Sequence, residues 1–221
     1  WSSDVCSSDL KFSDEQLSKE FGEKAGVLRK RDDGNWYGVF RGRAIFPVFS
    51  PTGKVIGFGA RKLYEDDQLG KYVNTKETPL YNKSKILYGL NFSKDAIREK
   101  EHAILVEGYA DLLSLFQAGI ENVVASSGTA LTIEQIQLIS RYTKNITILY
   151  DADGAGSNAT LRGIELILAN DLDVRIVQLP QGEDPDSFIR KFGKDAAVEN
   201  ISKSVSFIET VARNYYEQGK F

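Results

Sequence analysis

Methionine is absent from the 221 residues, and cysteine and histidine occur once each, as Cys6 and His102. One thiol and one imidazole cannot complete a disulfide or a Cys/His zinc site, and they leave little room for nucleophilic catalysis by thiol or imidazole. No run approaches the roughly 18 apolar residues of a membrane-spanning helix, and no basic-then-apolar segment opens the chain. A membrane partner is therefore not expected, and the cytoplasm is the expected location. The missing methionine predicts a fragment of a longer protein. Residues 1–10, WSSDVCSSDL, repeat Ser-Ser-Asp, hold the only Cys and resemble nothing downstream, so they are set aside as a non-native leader.

What is present is enough for a real core: 42% of residues are hydrophobic and 27% charged. The net charge of −3 hides an asymmetry. Residues 11–100 carry 18 Lys+Arg against 12 Asp+Glu, whereas residues 101–221 carry 10 against 17. A charge count alone usually means no more than solvated surfaces. The functional reading is a phosphate-tracking face in one half and a cation-binding pocket in the other.

Ser13 with Gln16, flanked by Phe12 and Leu17, predicts a capped helix from Asp14 to about Gly22. The runs YGVF, AIFPVF and VIGFGARKL between Trp36 and Leu63 predict antiparallel strands, with Ser50-Pro51-Thr52-Gly53 as a hairpin connection. Residues 65–90, rich in Lys, Tyr and Asn, are expected to form an ordered surface loop. From residue 103 the strands AILVE, NVVASS, ITILYD and VRIVQLP alternate with helical stretches 109–118, 133–143 and 155–170, which predicts a parallel sheet with crossover helices. Thr132 with Gln135, and Asp184 before Pro185, mark helix starts, and a final amphipathic helix is expected over 203–217.

Acids fall at the carboxyl ends of those strands: Glu107 after the first, Asp151 and Asp153 after the third, and Glu183, Asp184 and Asp186 after the fourth. In an open α/β sheet these ends meet in one crevice, where ligands bind. Carboxylates without His or Cys make a hard, all-oxygen site suited to magnesium or manganese, and two such ions suit in-line phosphoryl or nucleotidyl transfer. Taken singly each acid has a plain explanation. A D-x-D after a strand is more often a turn, and Asp111 by default favours its helix dipole. Gathered together, like charges at one edge call for a neutralising ligand.

The segments E107-G-Y-A-D111, A125-S-S-G-T-A-L-T132, L149-Y-D-A-D153-G-A-G156 and G182-E-D-P-D186 resemble, in order and spacing, the Toprim domain of bacterial DnaG-type DNA primases. Upstream, F40-R-G-R-A-I-F-P47, V55-I-G-F-G-A-R61 and K71-Y-V-N-T-K-E-T-P-L-Y-N-K83-S-K-I-L-Y-G89 are similar to the basic part of the same RNA-polymerase core. The resemblance implies an α/β architecture. A Toprim parallel-sheet domain over 101–186 with flanking helices would follow a smaller mixed α+β basic subdomain over 11–100, truncated at its start, and precede a C-terminal helical segment over 187–221. It implies template-directed synthesis of short RNA primers on single-stranded DNA from nucleoside triphosphates at a bacterial replication fork. More than one Mg2+ or Mn2+ ion would take part, and no zinc in this fragment. A replicative helicase would be engaged through a domain absent here.

Carried over by position, the resemblance implies Glu107 as metal ligand or general base and Asp151 and Asp153 as metal ligands, with Asp111, Asp184 and Asp186 completing the acidic cluster. Arg61, Lys71 and Lys83 would line a groove for nucleic acid or incoming nucleotide, and Arg41 and Arg43 would contact phosphate. Ala152, Gly154 and Ser127 depart from the commonest family wording but leave every acid in place. Two other readings stay open on the residues: a Toprim enzyme that cleaves phosphodiesters, or a nucleic-acid-binding fragment without activity of its own.

Overall fold

Strand periodicity of two in the first half and alternating strands and helices in the second produce two different architectures, divided between Lys83 and Ser84. The computed structural model describes residues 19–64, 70–128, 130–151, 158–209 and 216. Among these, no helix is long and apolar enough to cross a membrane.

In the first unit, helix α1 (Lys19–Lys24) precedes β1 (Leu28–Lys30) and β2 (Trp36–Gly38), an antiparallel pair. Strands β3 (Arg43–Phe49), β4 (Val55–Lys62) and β5 (Tyr72–Asn74) form an antiparallel sheet in that order. The predicted hairpin joins β3 to β4: Gly53 N–H donates to the Ser50 carbonyl at 2.9 Å with φ +85°, a backbone state that favours glycine. Val27, Val39, Phe40 and Ala60, with Ile45, Phe58 and Val73, make its core. Of the helix predicted from Asp14, residues 14–18 lie outside the described residues, and α1 ends at Lys24 rather than Gly22. β5 lies inside the segment expected to be loop. Tyr72 pairs with Arg61, and it is this pairing rather than any local periodicity that makes the strand.

The second unit opens with α2 (Leu90–Glu99) and continues β6 (Ala103–Val106), α3 (Tyr109–Gln117), β7 (Val123–Ala125), α4 (Ile133–Ile139), β8 (Asn145–Ile148), α5 (Asn158–Leu168), β9 (Asp173–Ile176), α6 (Pro185–Ser202) and β10 (Val205–Ser206). The sheet order is β10-β9-β8-β6-β7, and every pairing from β9 to β7 is parallel. This is the expected α/β class. Leu90, Ile97, Leu105, Val124, Ile136, Ile148, Ile164 and Val174 share one core on the face covered by α2, α4 and α5. On packing, Leu and Ile side chains of this size contribute about 1.5–3 kcal/mol each.

The capping box predicted at Thr132 and the cap predicted at Asp184 form, while the box predicted at Ser13 and Gln16 lies outside the described residues. Thr132 Oγ1 accepts from Gln135 N–H at 3.2 Å while Gln135 Oε1 accepts from Thr132 N–H at 3.1 Å. Asp184 Oδ1 accepts from Ser187 N–H at 2.6 Å, ahead of Pro185 in the first turn of α6. The amphipathic helix expected from residue 203 begins later. Val205 pairs antiparallel with Ile176, and the Arg175 guanidinium binds Ser204, so this stretch closes the sheet edge instead. The far edge is closed as well, by a reciprocal bridge in which Tyr88 N–H donates to Ala125 O at 2.9 Å and Ala125 N–H to Tyr88 O at 3.0 Å.

Candidate metal and nucleotidyl-transfer site

The chain leaves β6 for β7 on one side, then returns to place β8 against the other side of β6 and β9 beyond it. The carboxyl ends of β6 and β8 therefore flank the point where the strand order reverses, the position at which open α/β sheets bind ligands. Glu107 follows β6 and Asp151 follows β8 by way of Leu149 and Tyr150. Glu107 is half-buried, and burial followed by the charge of Asp151 pushes its carboxyl above the usual glutamate value.

Asp111 joins them from the first turn of α3. Its Oδ2 accepts the Gly108 N–H at 2.9 Å, and the Asp186 N–H also binds the carboxylate. Burial is the largest cause that pushes its carboxyl up to about 6. The charges of Asp151 and Asp184 add to the rise, and the two backbone N–H groups oppose it. The charge of Asp151 thus reaches both Glu107 and Asp111, and that of Asp184 reaches Asp111.

The other two acids differ. Asp186 accepts from Ser114 Oγ and from the Arg190 guanidinium, with only 13% of its side chain exposed. Its carboxylate is engaged in fastening α6 to α3. Asp153 lies outside the described residues. Among the described residues, no three acids close into a metal cage. Even so, the donor chemistry fits a divalent ion. All of the groups are hard oxygens, and burial together with the neighbouring charges of Asp151 and Asp184 disfavours their ionised forms, a cost that a cation would offset.

The basic residues all belong to the first unit. Arg41, Arg61 and Lys71 are exposed and Lys83 is half-buried. Arg61 lies over the Tyr72 ring at 5.9 Å, and Phe46 packs 6.5 Å from that ring, so a cation and aromatic rings share one sheet face. Arg43 behaves otherwise. It is 0% exposed and donates from Nη1 to the Gly70 carbonyl at 3.0 Å, tying β3 to the segment entering β5. In β3 it is in phase with Ile45, a core-facing position, so the backbone directs it inward. Sequence reasoning passed over Arg31, Trp36 and Tyr37, which with Arg41 and Tyr64 line a cleft of about 990 Å3. Arg31 lies 5.1 Å over the Tyr37 ring. The signal that marks them is the basic-aromatic spacing on either side of the Asp32-Asp33-Gly34 turn.

A parallel sheet of this order with acids at its switch point defines a Toprim-type α/β domain, here preceded by a small antiparallel basic unit. Residues 104–189 match the Toprim-like family, and residues 5–94 match the N-terminal domain of the DNA primase catalytic core. The chain belongs to the DnaG-type DNA primase family. A DNA primase from Clostridium acetobutylicum is 50% identical over 174 residues, 78% of this chain and 28% of that protein. The solved zinc-binding and RNA polymerase domains of the Aquifex aeolicus primase superpose with a TM-score of 0.84 at 41% identity, covering 91% of this chain and 50% of that one. A DnaG primase catalytic domain bound to single-stranded DNA gives 0.78 at 38% identity, covering 85% and 61%. The chain thus spans well under half the length of the curated relative.

Proposed function

We propose that this chain is the catalytic portion of a primase that synthesises short RNA primers on a single-stranded DNA template by metal-dependent nucleotidyl transfer. The observation that carries the reading is the facing pair Glu107 and Asp151 at the switch point between β6 and β8. Glu107 and Asp151 would hold the ions, with Asp111 and Asp184 behind them and Asp153 contributing from the D-x-D motif. Bound Mg2+ or Mn2+ supplies Lewis-acid polarisation of the α-phosphate and acidifies the attacking 3′-hydroxyl. The raised Glu107 carboxyl suits it to accept that hydroxyl's proton at an Oε atom.

Arg41, Arg61, Lys71 and Lys83 would contact the phosphates of template, primer and incoming triphosphate, and the Arg61–Tyr72–Phe46 face suits unpaired bases. Arg43 is omitted from this set because it is buried. The single-stranded DNA held by a 38% identical primase domain supports the template assignment.

The test is incubation of the full-length protein with template, ribonucleoside triphosphates and Mg2+ or Mn2+. Short templated RNA is expected. Cleavage of the DNA with no RNA product would move the reading to a phosphodiester-cleaving Toprim enzyme. Lys71→Ala and Lys83→Ala are each expected to weaken single-strand binding and to lower the slope of log affinity against log salt by about 0.7. Fluorescence anisotropy across a salt series measures this, and an unchanged slope removes that lysine from the phosphate set.

A further inference from the structure

In the parallel register Leu105 of β6 lies beside Val124 of β7 on one side and Ile148 of β8 on the other, and all three side chains enter the same core. Side chains repeat every second residue along a strand, so the next tier toward the carboxyl edge is Ser126, Glu107 and Tyr150. Glu107 is in the middle because β6 lies between β7 and β8. The outer strands are about 10 Å apart, too far for two short side chains but within reach of a phenol. The side chains of Tyr150 and Ser126 are hydrogen-bonded to each other. The Tyr150 ring therefore crosses the end of β6, past the Glu107 carboxylate, to meet Ser126.

Both ends of this span are fixed. Tyr150 is 8% and Ser126 6% exposed. Ser126 N–H donates to Val106 O at 3.2 Å, Ser127 N–H to Glu107 O at 2.9 Å, and Leu149 N–H to Leu105 O at 2.9 Å, so the three strand ends are laced together where the tier begins. Ser127 makes its bond from φ +58°, the left-handed region, which turns the chain sharply away after β7. Burial, and then the charge of Glu107, push the Tyr150 hydroxyl well above the ordinary phenol range, so it remains a neutral hydrogen-bonding group.

We propose that the Tyr150–Ser126 hydrogen bond is a brace that positions Glu107 for metal binding and proton transfer. Tyr150 touches neither substrate nor ion in this role and acts as a positioning residue through Glu107. A phenylalanine would fill the same volume and leave the Ser126 hydroxyl without its cross-strand partner, so the demand for a hydroxyl is specific. The inference rests on the primer-synthesis reading for its kinetic part alone.

The experiment compares full-length wild type, Tyr150→Phe, Ser126→Ala and the double variant. Mn2+ affinity by titration calorimetry is expected to fall about 10-fold in each single variant, as for other groups that orient a ligand from behind. The turnover number for primer synthesis is expected to fall about 10- to 100-fold with the KM for nucleotide unchanged. The double variant is expected to be no worse than the worse single one, because both changes remove one bond. Wild-type Mn2+ affinity in Tyr150→Phe or Ser126→Ala, or losses that add in the double variant, would overturn the brace. If Tyr150→Phe does not fold, Ser126→Ala removes the same bond with a smaller change and decides the question. Absence of primer synthesis in the wild type would overturn the underlying reading instead, and the Mn2+ titration would still judge the brace.

Discussion

Replacing Asp151 with Asn in the full-length protein is expected to cut primer synthesis by on the order of 10³-fold or more while leaving the metal-free protein at least as stable as wild type. The two halves of this expectation have one cause. After burial, the charge of Asp151 is the next cause that raises Glu107, and it contributes to raising Asp111, so in the absence of cations it opposes the folded state. Neutralising it relieves that repulsion and at the same time removes a ligand at the switch point. Asp153→Asn is expected to cause the same loss of synthesis. Gel-resolved primer synthesis and thermal melts in EDTA provide the two readouts. Near wild-type synthesis would remove Asp151 from the metal site, and a large fall in Tm would show that its carboxylate is a structural group.

Metal-free stability is expected to rise on mild acidification, with Asp111 as the main source. Its carboxyl is pushed up to about 6 in the folded chain from an ordinary aspartate value of 3.8, so the folded state binds that proton more tightly. The stabilisation is complete below about 3.8 and is lost as pH rises through about 6. A shift of this size corresponds to about 3 kcal/mol for a buried group. Glu107 acts with the same sign. Glu183 and Glu199 are lowered by Lys191 and Lys203, which acts with the opposite sign, but Glu199 is exposed, Glu183 is paired with an exposed lysine, and solvent screens both effects. Urea unfolding in EDTA between about pH 4.5 and pH 7 measures the trend, and Asp111→Asn is expected to flatten it. Parallel profiles for wild type and variant would assign the acid response elsewhere. Saturating Mg2+ is expected to stabilise the chain at the neutral end, by about 2.7 kcal/mol at 100 times Kd.

Four strands of the second unit were legible because β6, β7 and β8 are short, largely apolar and largely buried runs and β9 continues into the largely apolar stretch 174–179, and acids follow three of them. The helix starts at Thr132 and Asp184 were legible because capping is local chemistry. What escaped depends on partners distant in sequence. β5 exists because Tyr72 meets Arg61, and Val205 is a strand residue because it meets Ile176. α2 begins directly after Gly89 at φ +83° and faces Leu90, Ser93 and Ile97 inward, a stripe too narrow to announce itself among Lys, Asp and Arg. The expectation for Arg43 as a phosphate contact treated it as one of a pair with Arg41, whereas Arg41 lies in the turn before β3 and Arg43 is the first residue of that strand, in phase with the core-facing Ile45. The loop carrying Asp153 lies outside the described residues, so its part of the acidic cluster stands on sequence alone.

The bridge at Tyr88 and the short strand β10 cover both flanks of the parallel sheet. These short pairings reduce the unpaired backbone that each flank offers to another chain, which disfavours runaway self-association and sideways recruitment of a peptide strand. A visitor to this domain is left with side chains to recognise, above all the negatively charged rim where Glu107 and Asp151 meet.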